Sequence, residues 1–443
     1  MLGGTSPRPP SLPPANRHVP IDPSRPTMDP PPAGRERPPG GPTGPGDLAT
    51  HYTRFRVSER LLLTGHSHQA WPDVAFEGQQ RAWLDAAEWV DEKWGPAYEV
   101  AERVRAGWRR LLGESGSGGV VVLGGNTHEL VVRFMSALPL RTRPRLVTTD
   151  AEFHTLRRQL ARLEEEGLVE VVRVPGRPVQ TVAERVAAAV DARTAAALVS
   201  SVYYETAEIV PHLGAVAEAC VRHGAELLVD TYHHLNVVPF DLHAMGLGDA
   251  FVTGGGYKYC QLGEGNCFLR VPPHGQALRP VVTGWFAEFS GLGDAAGSGV
   301  RYAPGPDRWA GATYDPTAHY RAQAVFDFFE AQGLTPERLR AISQHQVGLL
   351  AARCSEPPLA GKVVAVGLRD GSGGGGGGLQ GGLAGVAGFL ALEVDDAAGV
   401  RERLRARGVH ADHRGGLLRL GPAPYLTDAQ LEDAVSRLAE VLG

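Results

Sequence analysis

Leu228-Val229-Asp230-Thr231-Tyr232-His233 is followed, 28 residues after its aspartate, by Lys258 within Gly254-Gly255-Gly256-Tyr257-Lys258-Tyr259, and these two stretches of the 443-residue chain decide its fold. One apolar run ends in a carboxylate, the next in glycines and an amine. Strand ends that carry complementary groups are expected where a mainly parallel sheet opens onto a ligand. The amine stands out because the chain has three lysines among its 44 basic residues, the other 41 being arginine. Arginine stays protonated and is a poor nucleophile, whereas a partly desolvated lysine can lose its proton and condense with a carbonyl.

Outward from this pair, short apolar runs alternate with helical segments. Val120–Leu123, Arg145–Thr149, Val169–Val174, Ala196–Ser200, Glu226–Val229, Ala250–Thr253 and Cys267–Val271 read as strands, with helices at 128–138, 155–166, 181–191 and 212–223. The pattern predicts an α/β fold whose mainly parallel sheet is covered on both faces, with its site beyond the carboxyl ends of the strands. Helices at 318–332, 335–354, 398–407 and 427–442, with strands Val363–Val366, Gly388–Val394 and Leu417–Leu420, predict a smaller C-terminal α/β domain at 318–443. The large domain is expected at 47–317. Its first part, 71–112, repeats tryptophans and aliphatics at helical spacing, which predicts one or two long amphipathic helices with the tryptophans in the core.

Residues 1–46 hold 15 of the 34 prolines without apolar periodicity, so a disordered tail is expected, and Met28 within it offers an alternative start. Gly371-Ser372 and the six glycines that follow read as a flexible loop, which lacks the lysine and hydroxyl of a phosphate-binding P-loop. A net charge of -5 with mixed signs points away from nucleic acid, and no apolar run is long enough for a membrane span. Cys220, Cys260, Cys267 and Cys354 fit neither a disulfide framework nor a metal site, so reduced thiols in a cytoplasmic protein are expected.

The lysine and the carboxylate together match the needs of pyridoxal 5'-phosphate: an amine for its aldehyde and an acid that keeps its ring nitrogen protonated. Gly124-Gly125-Asn126-Thr127, between a strand and a helix, supplies a phosphate cup of backbone N–H groups and a hydroxyl. Phe153 offers a flat face for the ring.

With Val238-Pro239-Phe240-Asp241-Leu242-His243, Gly263-Glu264-Gly265, Gly284-Trp285-Phe286, Arg308 before Gly311 and Thr313, and Arg419 in Leu418-Arg419-Leu420-Gly421-Pro422, these motifs resemble the kynureninase branch of the class V aminotransferase family of fold type I pyridoxal phosphate enzymes. The resemblance spans roughly residues 55–443. It implies that Asp230 binds the ring nitrogen, His233 lies beside it, and Tyr257 bonds the phosphate. Asn126 and Thr127 would form the cup and Phe153 would cover the ring. Arg419 would hold the α-carboxylate of an amino-acid substrate, and Trp285 and Thr313 would reach the phosphate across a homodimer with shared active sites.

Where that branch carries Gly-Asn-Ser-Leu-Gly, this chain has Gly65-His66-Ser67-His68-Gln69. Glu152-Phe153-His154-Thr155-Leu156 and Tyr203-Tyr204-Glu205 depart likewise. His66, Ser67 and His68 are therefore expected at a more polar substrate than kynurenine. The implied reaction is hydrolytic Cβ–Cγ cleavage, with β-elimination, decarboxylation, epimerisation and transamination as alternatives. A binding or scaffold role would be expected of a chain lacking Lys258 or Asp230.

Overall fold

The computed structural model describes residues 44–114, 116, 118–291, 299–368 and 379–443. The expected proline-rich tail up to residue 43 and the run of glycines after Ser372 lie outside the described residues. A helix, Pro45–Ala49, spans the expected boundary at residues 46 and 47, and its Leu48 is fully buried.

Seven strands form the central sheet: β1 Val120–Gly124, β2 Arg145–Thr149, β3 Glu170–Val174, β4 Thr194–Ser200, β5 Glu226–Asp230, β6 Phe251–Gly255 and β7 Cys267–Val271. Their order across the sheet is β1-β7-β6-β5-β4-β2-β3. Only β7 runs antiparallel to its neighbours. Strands β4, β6 and β7 are buried at every residue, because helices cover both faces and neither face tolerates polar alternation. The period of two is visible instead in which core each residue enters. Val121, Val147, Val199, Val229 and Val252 pack into one cluster, and Val122, Leu146, Leu198, Leu228 and Phe251 into the other.

A second sheet, all antiparallel, is ordered β10-β11-β9-β8, from β8 Val364–Val366, β9 Leu390–Glu393, β10 Asp412–Arg414 and β11 Leu417–Leu420. Strand β10 is absent from the sequence reading, since Asp-His-Arg has low strand propensity and is held by register alone. Leu61–Leu62 pairs with Val409–His410, which ties the N-terminal segment to the C-terminal unit.

The 71–112 segment resolves into two helices, Val74–Trp89 and Trp94–Leu111, broken at Val90 with φ +48°. Trp108 is buried against Phe268 at 4.5 Å, as expected of a core tryptophan. Trp83 is not: it is 78% exposed. The first helix buries Ala75, Gly78 and Ala82 instead. A Cβ at Gly78 would come within 2.6 Å of the Tyr320 carbonyl, so small residues bring this helix against Thr317–Ala331 and its large ones face outward.

Candidate active site

Asp230 is the last residue of β5, paired in register with Ser200 at the end of β4 and with Thr253 on β6. Two residues beyond Thr253, β6 ends and the chain turns through Gly256-Tyr257-Lys258. The glycines are required by packing: a side chain at Gly255 would strike the Tyr232 ring, and one at Gly256 would lie 2.6 Å from Leu262 Cβ. The turn is pinned by Gly256 N–H to Asn266 O at 2.8 Å and Gln261 N–H to Lys258 O at 3.0 Å. Strand register and a tight turn thus bring Asp230 and Lys258 to one cavity of about 350 Å³.

Lys258 is 5% exposed, and its Nζ lies 2.6 Å from His233 Nε2 and 4.6 Å from the Tyr232 ring centre. Burial lowers its amine to about 7; Asp230 opposes this and Arg419 adds to it. Burial also keeps His233 well below the usual imidazole range, which favours a neutral ring that can accept a hydrogen bond from the amine. His233 Nδ1 is buried with no partner among the described residues. Burial raises the Asp230 acid above its ordinary value, although Oδ1 accepts Tyr232 N–H at 2.8 Å. A cation at this carboxylate would relieve that cost.

Gly125, Asn126, Thr127, Phe153 and Tyr257 line the same cavity. Asn126 caps the helix Thr127–Ser136, Oδ1 accepting Glu129 N–H at 2.9 Å, so its side chain builds the helix end while backbone and the Thr127 hydroxyl remain for an anion. Tyr257 is held between two rings, Tyr232 at 4.9 Å and His68, stacked at 4.8 Å and 16°.

The structure redirects the residues expected around the substrate. Arg419 is absent from the cavity wall and 2% exposed. Asp412, its cross-strand partner, accepts Arg419 Nε at 2.7 Å and Nη2 at 2.6 Å, and Arg419 Nη1 donates to the Tyr204 carbonyl. His66 is fully buried and bonds Asp412 at 3.0 Å, and burial lowers it to about 4. Gln69 is buried too, accepting from Gln261, which in turn accepts from the Tyr52 hydroxyl. The His66 and Gln69 side chains thus brace the site; His68 stacks on Tyr257 with its Nε2 3.7 Å from Glu264, and the Gln69 N–H donates to the Tyr257 carbonyl at 3.3 Å. The Ser67 hydroxyl bonds His68 Nδ1 at 3.2 Å, and the Ser67 N–H donates to the Thr64 carbonyl at 2.8 Å. Trp285, 45% exposed against Phe286 and Phe289, and the exposed Thr313 are not on the wall. Glu152, read as a substrate-facing departure, is 2% exposed and bonded to Thr149 and Ser200.

Sequence reasoning passed over Ser200, His128, Glu264 and Cys267, which also line the cavity. Ser200 was within reach, since it ends a strand as Asp230 does; Cys267 was not, because β7 runs antiparallel and brings its first residue to this edge.

The sequence matches no protein-family model and no curated protein. The fold has many solved counterparts. The apo cysteine desulfurase from Thermococcus onnurineus superposes with TM-score 0.73 at 15% identity over 91% of this chain and 99% of that one. The cysteine desulfurase CsdA from Escherichia coli gives 0.73 at 14% identity over 91% and 99%. The cystine C–S lyase C-DES, in complex with cysteine persulfide, gives 0.71 at 15% identity over 87% and 98%. The chain therefore has the fold of the fold type I pyridoxal-phosphate-dependent enzymes.

Proposed function

We propose that this chain is a pyridoxal 5'-phosphate-dependent enzyme acting on an amino acid, with Lys258 holding the cofactor and moving the proton of the reacting carbon. The observation that carries the reading is Lys258 itself: buried, 2.6 Å from a neutral histidine, and lowered to about 7 at a strand end beside that of Asp230. The surrounding residues fit the group. Asp230 would hold the ring-nitrogen proton, the 125–127 turn the phosphate, and Phe153 one face of the ring.

Bound there, the cofactor would supply an electron sink for charge developing on the substrate α-carbon. With the group bound, Lys258 would move the proton of the substrate α-carbon, and the neutral His233 Nε2, 2.6 Å away, would accept a hydrogen bond from the protonated amine and hold it in place. Arg419 keeps a role toward the α-carboxylate. Of its five N–H groups, Asp412 takes two and the Tyr204 carbonyl one, which leaves one on each terminal nitrogen for a second carboxylate.

For the bond broken, our reading is hydrolytic Cβ–Cγ cleavage of the kynureninase kind, supported by the motifs around Asp230, Tyr257-Lys258 and Gly284-Trp285-Phe286. Likeness to the cystine C–S lyase favours β-elimination as a second reading. Desulfuration is not carried over from the desulfurases: all four cysteines are buried, and burial pushes Cys220, Cys267 and Cys354 to about 12, which removes the thiolate a persulfide carrier needs. We extend the proposal to a homodimer, since the short segment 281–285 exposes Val281 and Trp285, at 81% and 45%, and a second copy would cover such apolar side chains.

Borohydride should fix the cofactor to the Lys258 peptide in the wild type and not in Lys258→Ala. Cofactor fixed equally in that variant would overturn the assignment. A substrate panel then separates the reactions: alanine marks hydrolysis, and pyruvate with ammonia marks elimination.

A further inference from the structure

Glu152 has no part in the proposed chemistry, yet it is a 2% exposed carboxyl directly behind the cavity wall. Its Oε1 accepts Thr149 Oγ1 at 2.7 Å and Ser200 N–H at 3.2 Å, and its Oε2 lies 2.5 Å from Ser200 Oγ. Ser200 lines the cavity and is the register partner of Asp230. A serine hydroxyl has one proton. If Glu152 is ionised, that proton points back to Oε2 and the cavity sees an oxygen acceptor. If Glu152 is protonated, the acid donates to Ser200 Oγ and the hydroxyl proton is free to point into the cavity.

We propose that Glu152 is a positioning residue whose proton sets whether Ser200 offers the cofactor ring, beside Asp230, a donor or an acceptor. The inference deepens the reading above and rests on it. The balance is simple: one proton is taken up from solvent at Glu152, and the Ser200 hydroxyl reverses with no bond to carbon made or broken. The titratable groups facing Glu152 are Asp230 from β5 and the Tyr203 phenol from the segment after β4; neither is a cation. With burial uncompensated by positive charge, the acid rises to about 7, within reach of ordinary pH. Burial and Asp230 both push it up, while Ser200 and Thr149 hold it down.

The test uses two readouts. In apo protein, the melting temperature of Glu152→Gln relative to wild type should rise with pH between 5 and 8, because a carboxyl raised on folding loses its stabilising proton over that window. With cofactor, the ratio of Glu152→Gln to wild-type affinity for pyridoxal 5'-phosphate should change about tenfold between pH 6 and 8, the worth of one reversed hydrogen bond, since the amide mimics the protonated acid and the titration of Lys258, common to both proteins, cancels in the ratio. Ser200→Ala, which leaves Glu152 in place, should follow the pH profile of Glu152→Gln rather than that of wild type, which shows that the effect passes through the hydroxyl. A flat difference in the apo melts removes the titration at Glu152. A pH-dependent apo melt with superimposable affinity profiles removes the coupling. If wild-type protein takes no cofactor at any pH, the functional reading fails and this one with it.

Discussion

Asp412→Asn isolates what the buried charge pair contributes. Asp412 accepts two bonds from Arg419 and one from His66, and its side chain is 15% exposed against 3% for Arg419. The substitution leaves the Arg419 guanidinium buried beside a neutral amide. Breaking a buried pair by removing one partner costs about 3–5 kcal/mol, and the partial exposure of Asp412 places the value near the lower end, about 3 kcal/mol. For roughly 400 folded residues the unfolding entropy near 60 °C is about 0.8 kcal/mol/K, so the midpoint should fall by about 4 °C in scanning calorimetry of the apo protein. The pH dependence follows from the sign of the shift. Burial alone would raise the Asp412 acid, but the bonds from His66 and Arg419 hold it well below the usual carboxylate range. A depressed folded value contributes stability that is fully present above the unfolded value of about 3.9 and is lost as pH falls through the folded one. The gap between wild type and variant should therefore be constant from pH 8 to pH 5 and close only in strong acid. A midpoint change below about 1 °C, or a gap already gone at pH 5, would refute the argument that this pair is a stabilising brace.

Apo protein should capture pyridoxal phosphate at a rate that rises about tenfold per pH unit below 7 and levels above it, since only the neutral amine condenses and Lys258 is lowered to about 7; a rate still climbing at pH 9 would place the amine at its ordinary value. Asp230→Asn should still bind cofactor but slow exchange of the substrate α-proton in deuterium oxide by at least about a hundredfold, as a neutral partner cannot hold the ring proton. Unchanged exchange would deny the carboxylate that role. Removing residues 1–43 should leave melting and activity unaltered, whereas a cut extending through Leu48 should lower the midpoint by several degrees, because Leu48 is fully buried in the core.

The seven strands of the central sheet and most helices were legible because their signals are local: apolar runs of four to seven residues, helical periodicity and turn residues at the breaks. The Asp230 and Lys258 pair was legible for the same reason, since residues at the ends of adjacent parallel strands converge whatever lies between them. What the sequence alone determined, then, is the sheet, its open edge and the meeting of Asp230 and Lys258 at one cavity. Tertiary structure decided how the neighbouring polar residues are used. His66 and Gln69 lie in a segment expected at the substrate, and partners far away in the chain make their side chains braces instead: Asp412 is 346 residues from His66, and Gln261 is 192 from Gln69. Burial is likewise a property of the assembled protein, and desolvation is the largest influence on Lys258, Asp230, His233 and Glu152 alike. A lysine is basic in any sequence; enclosure behind two sheets and their helices is what brings this one near neutrality.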